Sequence, residues 1–150
     1  MKKLLLYLII FIPSFIYGQD LTGFWKGKLT QDSGGYSPEY VLEINIVQKN
    51  KNLYGHTLAY SGQTVISKIS FSGYIEKDSI YLIEDKDKVL KKILPEDFSL
   101  CIKNLILKYK KGEGGLETLT GRWTGKPLDK LKKNDYNNVF SLFTEQDGDC

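Results

Sequence analysis

Two stretches of this chain carry nearly the same eight residues: Leu-Thr-Gly-Phe-Trp-Lys-Gly-Lys at positions 21–28 and Leu-Thr-Gly-Arg-Trp-Thr-Gly-Lys at positions 119–126. They agree at six positions. In both stretches glycines stand two residues before and two residues after a tryptophan, and glycine lets backbone approach a bulky ring closely. The crowded end of a small β-barrel requires such an approach. The repeat therefore predicts matched first and late strands of one closed sheet, with Trp25 and Trp123 closing one end.

Between the two stretches the chain consists of short extended runs separated by turn residues, with no long helical periodicity. Turns are predicted at residues 50–52, 61–63 and 112–115, where asparagine and glycine concentrate. The charged residues 85–88 predict a solvated turn or strand tip. Besides the two repeats, the predicted strands lie at residues 40–47, 53–61, 65–73, 79–84, 98–103, 105–110 and 139–145.

The strand spacing predicts an all-β fold. Eight or nine strands joined by hairpin-like turns are typical of an up-and-down antiparallel barrel, which also removes exposed strand edges. The segment at residues 128–138 is the one candidate for a short helix or a long loop near the C-terminus.

The first 18 residues have the layout of a secretory signal peptide, with Lys2 and Lys3 before an apolar run. We expect cleavage after Gly18, a single barrel domain over residues 19–150, and a periplasmic or secreted protein without stable membrane insertion. Removing the two lysines from 21 basic residues leaves 19 against 18 acidic residues. A nearly neutral chain lacks the basic footprint of a nucleic-acid-binding protein, so we expect no nucleic-acid partner.

The two cysteines, Cys101 and Cys150, would both meet an oxidising compartment after export. We expect them to form a disulfide. The alternative is that Cys150, as the last residue, is left free.

Several motifs resemble those of calycins. Leu-Thr-Gly-x-Trp at residues 21–25, followed after a hairpin by Leu-Tyr-Gly-His-Thr at residues 53–57, resembles the start of avidin-type barrels. The triplet Gly-x-Trp, formed by Gly23 and Trp25 with one residue between them, also resembles the first-strand motif of lipocalins. The resemblance implies a calycin-like barrel, in which a tryptophan plugs the closed end beside a late-strand arginine, here Arg122. Biotin binding is not carried over, because we place no counterparts of the polar residues by which avidins hold biotin.

The chain also resembles exported Bacteroidetes proteins of unknown function. That resemblance implies an exported location and no activity.

Residues for catalysis or metal binding are sparse. His56 is the single histidine, and no Gly-x-Ser-x-Gly nucleophile elbow is present. One histidine and two separated cysteines do not make a zinc site. Glu84 with Asp85 and Asp87 resembles a fragment of a calcium loop, but no bidentate acid follows at the required spacing, so we interpret them as a solvated tip. We expect no enzymatic activity, no metal and no cofactor.

The aromatic residues leave two functional interpretations open. If the small face of the strand at residues 53–61 points inward, a barrel has space for one small ligand, and if the bulky face does, the interior is filled. The first interpretation is a non-enzymatic barrel that binds a small, mainly apolar molecule. Its candidate binding residues are Trp25, Tyr40, Thr57, Tyr60, Phe71, Tyr109 and Trp123. The alternative is a protein- or glycan-interaction module of the cell envelope, with a filled barrel as scaffold.

Overall fold

The computed structural model describes residues 19–31 and 37–131. The predicted signal peptide, the strand at residues 139–145, most of the segment at residues 128–138, and Cys150 lie outside the described residues. Seven strands are observed: β1 (Gly23–Thr30), β2 (Glu39–Lys49), β3 (Asn52–Ser61), β4 (Thr64–Glu76), β5 (Ser79–Lys92), β6 (Cys101–Lys111) and β7 (Glu117–Pro127). None of the helices in the described residues is long and apolar enough to cross a membrane.

The strands form one antiparallel sheet in chain order from β1 to β7, curled into a nearly closed up-and-down barrel. This confirms the predicted all-β, up-and-down architecture. The described residues contain seven strands, and not eight or nine, partly because residues 101–103 of one predicted run and the whole run at residues 105–110 belong to one strand, β6. Lys103 is a charged residue at an inward position of β6. It interrupts the apolar alternation of the sequence, but the strand itself continues through it.

The connections agree with the turn chemistry of the sequence. Asn50 between β2 and β3 has a φ of 58°, and Gly62 between β3 and β4 has a φ of 59°. Both values lie in the left-handed region that these two residue types tolerate. Between β6 and β7 the 3₁₀ turn Glu113–Gly115 reverses the chain at the predicted glycine-rich hairpin. A second 3₁₀ turn, Leu128–Lys130, follows β7 at the start of the predicted short helix or loop.

The interior is built from alternate residues of each strand. On β2 the inward residues Tyr40, Leu42, Ile44 and Ile46 are all buried, and burial of each full aliphatic side chain stabilises the fold by about 1.5–3 kcal/mol. On β3 the small face points inward, since Thr57 and Ala59 are buried while Tyr54 is 46% exposed.

The small face of β3 does not leave a void, because a neighbouring ring fills it. Gly55 pairs with Phe71 of β4, and a Cβ at Gly55 would come within 2.9 Å of the Phe71 ring. Phe71 is only 4% exposed. Inward-facing small residues therefore make room for a core side chain at this level of the barrel.

Strand β5 departs from its sequence interpretation. It continues through residues 85–88 to Lys92, so the predicted tip is part of the strand. These residues form a bulge: four residues of β5 lie between the pairs Phe71↔Glu84 and Ile69↔Val89, opposite a single residue of β4. Lys88 forms a salt bridge with Asp85 at 3.0 Å within this bulge. Glu84 is not part of a solvated tip, because it is 4% exposed and points into the barrel.

Candidate functional site

The barrel has a seam between β1 and β7, its first and last described strands. The two strands run parallel to each other, and no ladder of backbone hydrogen bonds joins them in the described residues. A cleft of about 550 Å³ lies along the seam. Its walls include three apolar residues of the core, Leu42, Leu105 and Leu107, and two of β7 and its approach, Leu116 and Leu119. The cleft is a mainly apolar groove that opens on one side of the barrel.

Trp25 lies in the part of this cleft near the start of β1. Its indole N–H donates to the backbone oxygen of Leu21 at 3.0 Å. Its ring meets the Tyr109 ring edge-on, with centroids 6.3 Å apart and planes at 82°, a favoured aromatic geometry. Because Tyr109 belongs to β6, this contact joins β1 to β6 across the position of β7.

Trp123 lies in the part of the cleft near the end of β1. Its indole N–H donates to the backbone oxygen of Thr30 at 2.8 Å, which ties β7 to the end of β1. Thr30 follows Trp25 by five positions, about 16 Å along an extended strand. The prediction that the two tryptophans close one end of the barrel together is therefore wrong, because they lie at separate levels of the seam.

The two glycines of the first repeat are not crowded by neighbouring atoms. A Cβ built at Gly23 or Gly27 would meet no atom within 4 Å. Gly23 has a φ of 150°, which a side chain would strain. Gly27 pairs with Leu42 and lines the cleft without such a backbone requirement. Arg122 is exposed at an outward position of β7, on the rim of the cleft.

A second cavity, here called the mouth pocket, lies at the end of the barrel where β1 and β7 finish. It holds about 50 Å³ and shares Leu29 and Trp123 with the seam cleft. The connection between β5 and β6 covers it with Leu94, Phe98 and Leu100. Its inner wall includes Tyr40, Ala59, Ser67, Cys101 and Lys103.

Beside the mouth pocket lies a buried polar cluster of Thr57, Glu84 and Lys103. The Glu84 carboxylate accepts hydrogen bonds from the Thr57 hydroxyl at 2.5 Å and from the Lys103 backbone N–H at 2.7 Å. The Lys103 ammonium group lies 3.1 Å from the same carboxylate. The side chains of Lys103 and Glu84 are 5% and 0% exposed. Burial of these charges is tolerable only because they are paired and hydrogen-bonded.

The position of Glu84 has a local cause. The β5–β6 pairing ends at Ile83↔Asn104, and beyond it β5 leaves β6. The backbone N–H of Lys103 would otherwise have no ladder partner at this point, and the Glu84 carboxylate supplies one. Sequence reasoning missed this cluster. The available signal was that Lys103 keeps the inward phase of Leu105, Leu107 and Tyr109.

The other predicted binding residues divide between the interior and the surface. Tyr40 lines the mouth pocket, and its hydroxyl accepts from the Ser37 backbone N–H at 2.8 Å. Thr57 and Phe71 are buried in the interior. Tyr60 is not brought to the interior. It points outward, and its hydroxyl donates to Glu43 at 2.7 Å, which lowers the pKa of that carboxyl together with the nearby Lys26.

His56 lies on the outer face of β3. Partial burial lowers its pKa below the usual value, and the nearby positive charge of Lys68 adds to that effect. Within residues 19–31 and 37–131 no three histidine, cysteine or acidic side chains group together as metal ligands. Cys101 lines the mouth pocket, but its predicted partner lies outside the described residues, so the disulfide stays a prediction.

Comparisons of this chain with protein-family models, with curated proteins and with solved structures find no match. The nearly closed antiparallel barrel is compatible with a calycin-like architecture.

Proposed function

We propose that this chain is an exported, non-enzymatic barrel protein that binds a small, mainly apolar molecule in the seam cleft. The observation that supports this proposal is the cleft of about 550 Å³ with apolar and aromatic walls. Ligand sites of small molecules typically enclose about 300–1,000 Å³ with such linings. Trp25 and Trp123 supply flat faces at its two levels, and Leu116, which is 68% exposed, offers apolar surface at its edge.

The experiment fills the cleft from within. Gly27 lines the cleft, and a Cβ there would meet no neighbour within 4 Å, so Gly27→Leu should occupy ligand space without disturbing the core. The matched control is Lys108→Leu, which adds the same side chain at an exposed position of β6. The probe is N-phenyl-1-naphthylamine, an uncharged aromatic molecule whose emission rises in apolar surroundings.

We expect saturable binding of one probe per chain, accompanied by quenching of tryptophan emission. Gly27→Leu should weaken it by at least about tenfold, a change of ~1.4 kcal/mol, and Lys108→Leu should leave it unchanged. Equal affinity in all three proteins would place the probe elsewhere and contradict the proposal. Native mass spectrometry of the exported protein would then show whether a molecule that is released on unfolding accompanies it.

A second candidate function is strand addition by a protein partner at the same seam. The parallel edges of β1 and β7 would both pair with one strand that runs antiparallel to them, as in other cases of β-augmentation. Lys26, Lys28 and Arg122 lie at outward positions beside the seam. An extended segment that alternates apolar with acidic residues would bury its apolar side chains in the cleft and pair its acidic side chains with these cations.

Hydrogen exchange separates this candidate from the first. A peptide that alternates valine and glutamate should slow the exchange of seam-facing amides in β1 and β7, and the naphthylamine probe should not. Slow exchange that disappears when residues 132–150 are deleted would assign the edge to this chain itself. Slow exchange that depends on protein concentration would assign it to a second copy.

A further inference from the structure

A buried lysine faces the mouth pocket, apart from the seam cleft. Lys103 is 4% exposed and lines that pocket. An ammonium group in a barrel interior costs free energy unless its charge and its three donors are satisfied. Such a group therefore identifies a position where a polar acceptor is favoured.

One of the three N–H donors of the Lys103 ammonium group has no acceptor among the described residues. Its ammonium group bonds to Glu84 at 3.1 Å and to the backbone oxygen of Cys101 at 3.2 Å. These bonds use two of three N–H donors among the described residues. Glu84, in turn, does not depend on the ammonium group alone, because Thr57 and the Lys103 backbone N–H also donate to it. The lysine thus keeps the capacity to bind a further acceptor.

The size of the mouth pocket limits what that acceptor is. A water needs about 10–15 Å³ of such space, so a pocket of about 50 Å³ holds a few waters or one small polar group with a short alkyl tail. Ser67, which is 2% exposed, adds a hydroxyl to the polar wall. Leu94, Phe98 and Leu100 form the apolar side. A cation at the inner wall and apolar groups at the cover suit an amphipathic molecule.

We propose that the mouth pocket binds a short-chain monocarboxylate, with the carboxylate on the Lys103 ammonium group and the alkyl end beneath Phe98. A charge-assisted hydrogen bond to a carboxylate is stronger than one to a neutral acceptor, and the acid is preferred over its amide when this gain exceeds the repulsion from the Glu84 carboxylate, which lies 3.1 Å from the same ammonium group. This site adjoins the seam cleft through Leu29 and Trp123, but Lys103 lines only the mouth pocket, and the proposal does not depend on apolar binding in the cleft.

The first test compares butyrate with butyramide, which has the same shape without the charge. Both are titrated into the full chain at constant ionic strength while backbone amide shifts are recorded by NMR. We expect saturable butyrate shifts at Ser99, Leu100 and Cys101, and affinity for butyramide at least about tenfold lower. Equal affinities, or butyrate shifts confined to exposed lysines, would overturn the proposal. Shifts confined to residues 25–28 of β1, which line the seam cleft and not the mouth pocket, would report the seam and overturn the proposal.

The second test addresses Lys103 directly. In the wild-type protein the side-chain ¹⁵N resonance of the Lys103 ammonium group should shift on butyrate binding, and an unchanged resonance at saturation would overturn the proposal. The variant Lys103→Met with Glu84→Gln removes both buried charges and should abolish the butyrate response. Lys108→Met is the matched control, because it removes an exposed lysine of the same strand, and it should respond as the wild type does.

Discussion

Removing one member of the Glu84–Lys103 pair should destabilise the protein far more than removing both. At the observed 3.1 Å, two unit charges attract by about 5 kcal/mol at an effective dielectric constant of about 20. Most of this attraction offsets the cost of taking both charges out of water. A single substitution leaves the other charge buried and unpaired, and such a change costs about 3–5 kcal/mol.

The double variant Glu84→Gln with Lys103→Met should lose much less. The glutamine oxygen retains an acceptor for the backbone N–H of residue 103, its amide group can donate to the Thr57 hydroxyl, and methionine fills most of the lysine volume with apolar atoms. We expect a loss of about 1–2 kcal/mol, mainly from weaker hydrogen bonds. The two substitutions should therefore show a coupling free energy of at least about 2 kcal/mol.

Urea unfolding followed by far-UV circular dichroism measures this cycle, with each unfolding free energy obtained by linear extrapolation. Lys108→Met is the control, and as an exposed substitution it should change the free energy of unfolding by less than about 0.5 kcal/mol. Single losses that add up to the double loss within about 0.5 kcal/mol would refute the reasoning, because Glu84 and Lys103 would then not share one buried environment.

Three further outcomes follow from individual contacts. Gly55→Ala places a Cβ 1.8 Å from the backbone oxygen of Asn45 at a φ of 158°, so we expect a loss above about 2 kcal/mol in the urea assay, whereas a loss below half of that would mean that β2 and β3 adjust freely. Trp123→Phe removes the indole donor that ties β7 to β1, and it should cost about 1 kcal/mol and speed amide exchange at the end of β1; unchanged exchange would show that the bond does not hold the seam. Tyr60→Phe removes the largest cause of the lowered Glu43 pKa, so carboxyl ¹³C titration should show that pKa rising toward its usual value. The lowered pKa contributes stability that is present above the usual glutamate pKa and is lost as pH falls through the lowered pKa of the folded state. Because Tyr60→Phe gives up much of this contribution, its free energy of unfolding should fall less between neutral and acid pH than that of the wild type.

The strands and turns were predictable from sequence because they depend on local patterns. The alternation of Tyr40, Leu42, Ile44 and Ile46 identifies β2 by itself, and the asparagine at residue 50 specifies the turn that follows it. Each signal lies within about ten residues of chain. Neither depends on which strands become neighbours.

Trp25 and Trp123 of the seam cleft were among the predicted binding residues, whereas the Glu84–Lys103 cluster was not predictable because it depends on pairing between strands. Lys103 and Glu84 each interrupt an apolar alternation, and a charged residue in such a pattern indicates a turn or an outer face when taken alone. Only the β5–β6 register, Ile83↔Asn104, brings their side chains together. Likewise, the two repeats look equivalent, but β1 and β7 are aligned with different neighbours, at Trp25↔Ile44 and Trp123↔Leu105. The Trp123 indole reaches Thr30, five residues beyond Trp25 on β1, so the two tryptophans lie apart along the seam.

The seam itself has a topological origin. In an up-and-down meander each strand reverses direction, so a first and a seventh strand run the same way, and an antiparallel ladder between them is not possible. β1 holds residues 23–28 of the first repeat and β7 holds the whole second repeat, so within the described residues the seam is flanked by both tryptophans and by Gly27. Both candidate functions of the seam use this property, since a small apolar molecule covers the exposed side chains and an added strand also pairs the backbone edges. Gly27→Leu therefore has a different consequence for each: a side chain in the cleft should exclude the naphthylamine probe, whereas a peptide strand loses the burial of its apolar side chains there but keeps the backbone edge of β7 for pairing.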